Sequence, residues 1–293
     1  MTGKIRLSRC FYSPSTASAV TAAGLLLSGL TERLGRNLHA PASAVPPWVT
    51  TDVPESDSTP NVVNPHMELP CCFSPRPAPR PDRGTIAAFE RLFATTVERG
   101  AGTVIDYTLV APKWQFLCYL CDHKEIALHG SGKPDILEFE PRQSNDIAEF
   151  GNRRAVYAAS DGIWPIYFAV IDRDGGVTSL VNSCARVVGS DGSRSEPYYF
   201  FSINADALSR RPWRHGTIYL LPRHSFEQQA PRPYRGLQLE VAQWASLVPV
   251  RALACLPVEP GDFPFLGQIH AHDPQVVKER AARDPDGFPW LDD

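Results

Sequence analysis

The chain predicts an α+β fold built on antiparallel sheets. Helical periodicity is confined to a few stretches, and six or seven short strand-like runs follow without a regular strand–helix alternation. No G-x-G-x-x-G opens a helix, which disfavours a Rossmann fold, and no GxxxxGK[ST] run exists, which excludes a P-loop.

Residues 1–83 read as an irregular, disordered Pro/Ser-rich extension with one short helix near 17–36. Pro41, Pro46, Pro47, Pro54, Pro60, Pro65 and Pro70 recur too often for regular structure, and Pro75-Arg76-Pro77-Ala78-Pro79-Arg80-Pro81 reads as a polyproline-type spacer. A compact domain is expected over 84–272, with a helical tail over 273–293. Thr85–Arg99 reads as an amphipathic helix: Ile86, Phe89, Leu92, Phe93 and Val97 recur at three- to four-residue steps, and Gly100 follows as a stop. Strands are expected at Thr103–Val110, Trp114–Leu120 and Glu125–His129. Asp161 is positioned to cap a helix over about 162–172, with Pro165 tolerated in its first turn and Trp164, Phe168 and Ile171 as its buried stripe. Further strands are expected at Tyr198–Ile203, Gly216–Leu221, Gly236–Gln243 and Val248–Val258. Asp273–Arg283 reads as a polar helix anchored by Val276 and Val277.

A net charge of −3 gives no footprint for nucleic acid, so no nucleic-acid partner is expected. The seven cysteines, Cys10, Cys71, Cys72, Cys118, Cys121, Cys184 and Cys255, are odd in number and irregular in spacing, which argues against a disulfide framework. Cys118 and Cys121 form a lone CxxC among core-like residues, and His270-Ala271-His272 has no ligand at metal spacing nearby, so no metal site is expected. No apolar run approaches the roughly 18 residues of a membrane span, so no membrane partner is expected. The start of the chain has Lys4, Arg6 and Arg9, no acidic residue before Glu32, and many Ser, Thr and Ala. That composition suits a transit peptide, or the leader of a bacterial effector exported into a host cell, as well as a cytoplasmic protein.

Two motifs carry the chemistry. One is Ile126-Ala127-Leu128-His129-Gly130-Ser131, an apolar run ending in a His-Gly-Ser corner. The other is Ala155-Val156-Tyr157-Ala158-Ala159-Ser160-Asp161, an apolar run with a central tyrosine. Taken singly, the first is a turn at a strand end and the second a core strand tyrosine. Together they offer a histidine, a glycine that admits close backbone approach, and an aromatic face to a flat nicotinamide ring.

Over roughly residues 125–265 this order of motifs resembles the NAD-dependent ADP-ribosyltransferases of the histidine-tyrosine class, the rifamycin-modifying bacterial enzymes among them. The resemblance implies an ADP-ribosyltransferase-like fold and a mono-ADP-ribosyltransferase with NAD as substrate. It implies that His129 donates to a ribose hydroxyl, Gly130 and Ser131 meet the carboxamide, and Tyr157 stacks on nicotinamide, with Tyr167 as a second aromatic. It implies that Arg142, in the Pro-containing loop, pairs with the diphosphate. A polar or acidic residue must also face the ribose to stabilise the developing cation. Glu240 is ranked first for this, Gln243 second, and Gln238 faces the acceptor. The implied acceptor is a protein, and one bacterial effector family of this look modifies ubiquitin. A non-catalytic module of the same fold and an NAD glycohydrolase are the alternatives.

Overall fold

The computed structural model describes residues 18–21, 69, 71–144, 146 and 148–291. The chain is α+β, with mostly antiparallel sheets. The first sheet centres on β8 (Ser179–Val188), whose neighbours are β9 (Tyr198–Asn204) and β13 (Leu237–Val241). Beyond them lie β12 (Arg232–Tyr234) and β17 (His270–His272), while β1 (Ser18–Thr21) runs parallel to β8 and β2 (Ser74–Pro75) pairs with β9. The second sheet runs β11 (Glu227–Gln228), β14 (Gln243–Ser246), β7 (Arg154–Ala159), β4 (Ile126–Ser131), β10 (Gly216–Pro222), β16 (Ala254–Val258), β3 (Thr103–Val104), with β6 (Arg142–Gln143) added to β7. A two-strand ribbon, β5 (Glu138–Phe139) with β15 (Val250–Arg251), stands outside both.

Between the sheets lies α3 (Trp164–Val170). Its entry is fixed by buried Asp161, whose Oδ1 accepts the N–H groups of Ile163 and Trp164. Trp164 Nε1 donates to Asn182 Oδ1 on β8 at 2.7 Å, and Tyr167 OH donates to Ser202 O on β9 at 2.9 Å, so the helix ties itself to the first sheet. Against the second sheet it sits backbone to backbone. A Cβ on Gly130 would overlap the Pro165 carbonyl, and one on Gly216 the Ala169 carbonyl. The approach therefore needs glycine at both positions.

α1 (Arg83–Glu98) follows the expected helix, starting at its Asp82 cap, and buries Phe89 against Phe116 and Tyr119. The expected strand Trp114–Leu120 is instead α2 (Lys113–His123). Every residue from Trp114 to Cys121 is buried, so the run shows neither period. Of Thr103–Val110 only β3 is strand. Of the helix near 17–36, Ser18–Thr21 form β1, and the remainder lies outside the described residues. The expected strand Gly236–Gln243 is two strands in two different sheets, and Val248–Val258 is likewise broken into β15 and β16. α4 (Ala205–Ser209) and the tail helix α5 (Pro274–Arg283) complete the chain, the latter burying Val277 and Ala281 while Val276 is exposed. The proline-rich stretch is docked: Phe73 is buried against Phe200 and Phe288, and Gln115 Nε2 donates to Pro79 O at 2.8 Å. No helix among the described residues is long and apolar enough to cross a membrane.

Candidate functional site

β4 and β7 pair at one register position, Leu128 opposite Ala159, and the ladder stops there. Beside that break lies a cleft of about 450 Å³. Its lining brings together His129, Gly130, Ser131, Tyr157 and Gln243, along with Lys133, Asp146, Phe168, Arg173 and Arg214.

His129 replaces the missing rung of the ladder. Its Nδ1 lies 2.7 Å from the Tyr157 carbonyl oxygen. A carbonyl only accepts, so Nδ1 carries the proton and Nε2 keeps a lone pair. Burial lowers the pKa of the ring below the ordinary imidazole value, with the charges of Arg173 and Arg142 adding to the effect, so the ring is neutral at pH 7. With Nδ1 engaged, the ring nitrogen left over is the acceptor Nε2, whereas a donor role was expected of His129. The Phe139 ring, 4.7 Å away centroid to centroid, packs against it.

Tyr157 is held by its hydroxyl, which accepts from Arg153 N–H at 2.8 Å and donates to Phe150 O at 2.9 Å. Desolvation raises its pKa. With the hydroxyl engaged and neutral, the ring is what remains for a ligand. Ser131 Oγ accepts from Lys133 N–H at 3.2 Å at the mouth of the cleft. Gly130 also lines the cleft, but its missing side chain is first a packing requirement of α3.

The third polar residue is Gln243. It is 7% exposed, lines the cleft, and its Oε1 has no hydrogen-bond partner among the described residues. An unsatisfied buried acceptor costs on the order of 1–3 kcal/mol, which a bound hydroxyl or amide would recover. Glu240 is elsewhere. Ala242 spans the two sheets, its N–H donating to Cys184 O at 2.9 Å and its carbonyl accepting from Ser160 N–H at 3.0 Å. The chain thus changes sheet between Glu240 on β13 and Gln243 on β14. Glu240 faces away and takes Arg194 Nε at 2.9 Å, and Gln238 is exposed on the same strand. Neither lines the cleft.

Two further predicted residues are also placed apart. Tyr167 is fully buried, its ring 4.7 Å from that of Phe201, and serves the core. Arg142 is exposed on β6, outside the lining. Sequence reasoning missed Lys133, Arg173 and Arg214, which carry no motif, and Phe168, which it assigned to the buried stripe of α3. Comparison with known proteins finds no matching family model, no matching curated protein and no matching solved structure.

Proposed function

We propose that the chain is a mono-ADP-ribosyltransferase that binds NAD in this cleft and moves ADP-ribose to a protein acceptor. The observation that supports the reading is the convergence of the His129 ring, the Tyr157 ring and the unpaired Gln243 Oε1 on one cleft where two strands part. The resemblance of the same motifs to the histidine-tyrosine transferases points the same way. In this scheme Tyr157 stacks on nicotinamide and His129 accepts from a ribose hydroxyl. The N-glycosidic bond breaks with its electron pair going to nicotinamide. The Gln243 dipole faces the cation developing on the ribose, and the acceptor hydroxyl attacks that carbon and gives up its proton to solvent water. Ubiquitin is the first acceptor to test, in the setting of a bacterial effector, on the strength of the resemblance alone.

A preorganised polar group aimed at developing charge is worth roughly 10²–10³ in rate. Gln243→Ala should therefore cut nicotinamide release about a hundredfold while NAD affinity, read by calorimetry, changes by a few-fold. That Gln243 is uncharged favours one second reading, a nucleotide-binding module of the same fold without turnover. NAD binding with no nicotinamide release from the native chain supports the module. Release without transfer to ubiquitin or other proteins supports a glycohydrolase. No NAD binding at millimolar concentration defeats all three.

A further inference from the structure

One end of the cleft is lined by cations that the roles above do not use. Arg173 opens the 3-10 turn Arg173–Gly175 after α3, Arg214 stands just before β10, and Lys133 follows β4. Arg214 is held in place: its N–H donates to Val170 O at 2.8 Å, and its guanidinium lies across Gly132, where a Cβ would overlap the Cζ atom. Its nearest carboxylate is Asp172, with Nη1 and Oδ1 3.6 Å apart, and its Nε is buried without a partner among the described residues. Neither the guanidinium of Arg173 nor the Lys133 ammonium has a hydrogen bond or ion pair among the described residues. The one acid in the lining, Asp146, sits toward Tyr157 and accepts the Ala148 N–H at 2.9 Å.

The two guanidinium groups face one cleft and repel each other; Arg214 has a single carboxylate nearby, Asp172 at 3.6 Å, and its Nε stays unfilled. Guanidinium forks match phosphate oxygens bidentately, and charge-assisted bonds of that kind are the strong ones. We infer that this end of the cleft is an anion subsite, with Arg173 and Arg214 taking the diphosphate of a nucleoside diphosphate moiety and Lys133 adding charge at the rim. The assignment rests on the dinucleotide reading of the neighbouring cleft, and it moves the diphosphate contact from Arg142, which is exposed outside the lining.

The test is titration of the full chain with ADP, inorganic pyrophosphate, NAD and nicotinamide. ADP and pyrophosphate should bind, and more weakly as salt rises, because screened charge supplies the attraction. Arg173→Ala and Arg214→Gln should each weaken ADP and NAD roughly tenfold or more, as expected for loss of a charged hydrogen bond. Arg173→Lys should keep part of the affinity, and nicotinamide binding should stay within twofold throughout. Arg214 packs on Gly132, so melting curves accompany that variant. If it unfolds, Arg173→Ala and Lys133→Ala, both at exposed positions, carry the test. The subsite is overturned if the native chain binds neither ADP nor pyrophosphate, or if these variants bind NAD as the native chain does while nicotinamide release continues. Loss of ADP binding in the variants, with no nicotinamide released by the native chain, keeps the subsite and fails the transferase.

Discussion

His272 is a buried histidine whose neutrality is built in. Ser202 Oγ donates to His270 O at 3.0 Å and so accepts from His272 Nδ1–H at 2.6 Å, which leaves Nε2 to accept from Ser179 Oγ at 2.8 Å. Burial pushes its pKa down to about 4. The unfolded chain, with an ordinary imidazole near 6.5, then binds a proton that the folded chain refuses. Stability from this site is whole above pH 6.5 and is lost as pH falls toward 4, by roughly 3 kcal/mol across the full shift. Urea denaturation at pH 7, 5.5 and 4.5 should show a steeper fall for the native chain than for His272→Gln. Parallel pH profiles would refute this. At the same scale, much of the cleft was legible: His129, Ser131 and Tyr157 stand in short local motifs, and those motifs meet in the structure. The choice between Glu240 and Gln243 was not legible, because it depends on which sheet each residue's backbone joins. Period-two spacing is silent about a change of sheet.

Among the elements, α3 packs on the second sheet backbone to backbone. It meets β4 and β10 through Gly130 and Gly216. Gly130→Ala would drive a methyl group into the Pro165 carbonyl, backbone against backbone, with no flexible side chain to give way. Overpacking of this kind costs typically 1–3 kcal/mol, and here the helix itself must shift. The melting midpoint of Gly130→Ala should fall by several degrees, about 2–4 °C per kcal/mol for a chain of this size. An unchanged midpoint would mean the helix stands farther from the sheet than described. α2 marks the limit of reading elements from pattern. Its Trp114–Cys121 run is buried on all sides, so the burial that makes it a core helix erases the polar face that announces one. β8 left no mark either, since all of its first seven residues are buried.

The proline-rich segment belongs to the compact body. Arg76 reaches from it to Asp122 at 2.6 Å and to Asp161 at 3.3 Å, and Asp161 also accepts Tyr199 OH at 2.6 Å. Asp161 is 1% exposed and caps α3, so the docked segment neutralises the charge at the entry of the helix that lines the cleft. Stranding such a buried charge costs on the order of 3–5 kcal/mol. A chain shortened to begin at Gly84 should melt well below one beginning at Leu69, and Arg76→Ala in the longer chain should reproduce much of the loss. Equal melting of the two truncations would show that the segment is dispensable. Composition pointed to a spacer here because prolines exclude regular structure, and it is silent on whether an irregular segment packs.

The bridge at Ala242 leaves no slack between the two sheets. Side chains alternate along β14, so a single residue inserted or deleted between Glu240 and Gln243 would reverse which of Gln243 and Trp244 faces the cleft. Length changes in surface turns elsewhere are absorbed locally, but one at this seam would rewrite the site's inventory of polar groups without altering any residue in the cleft.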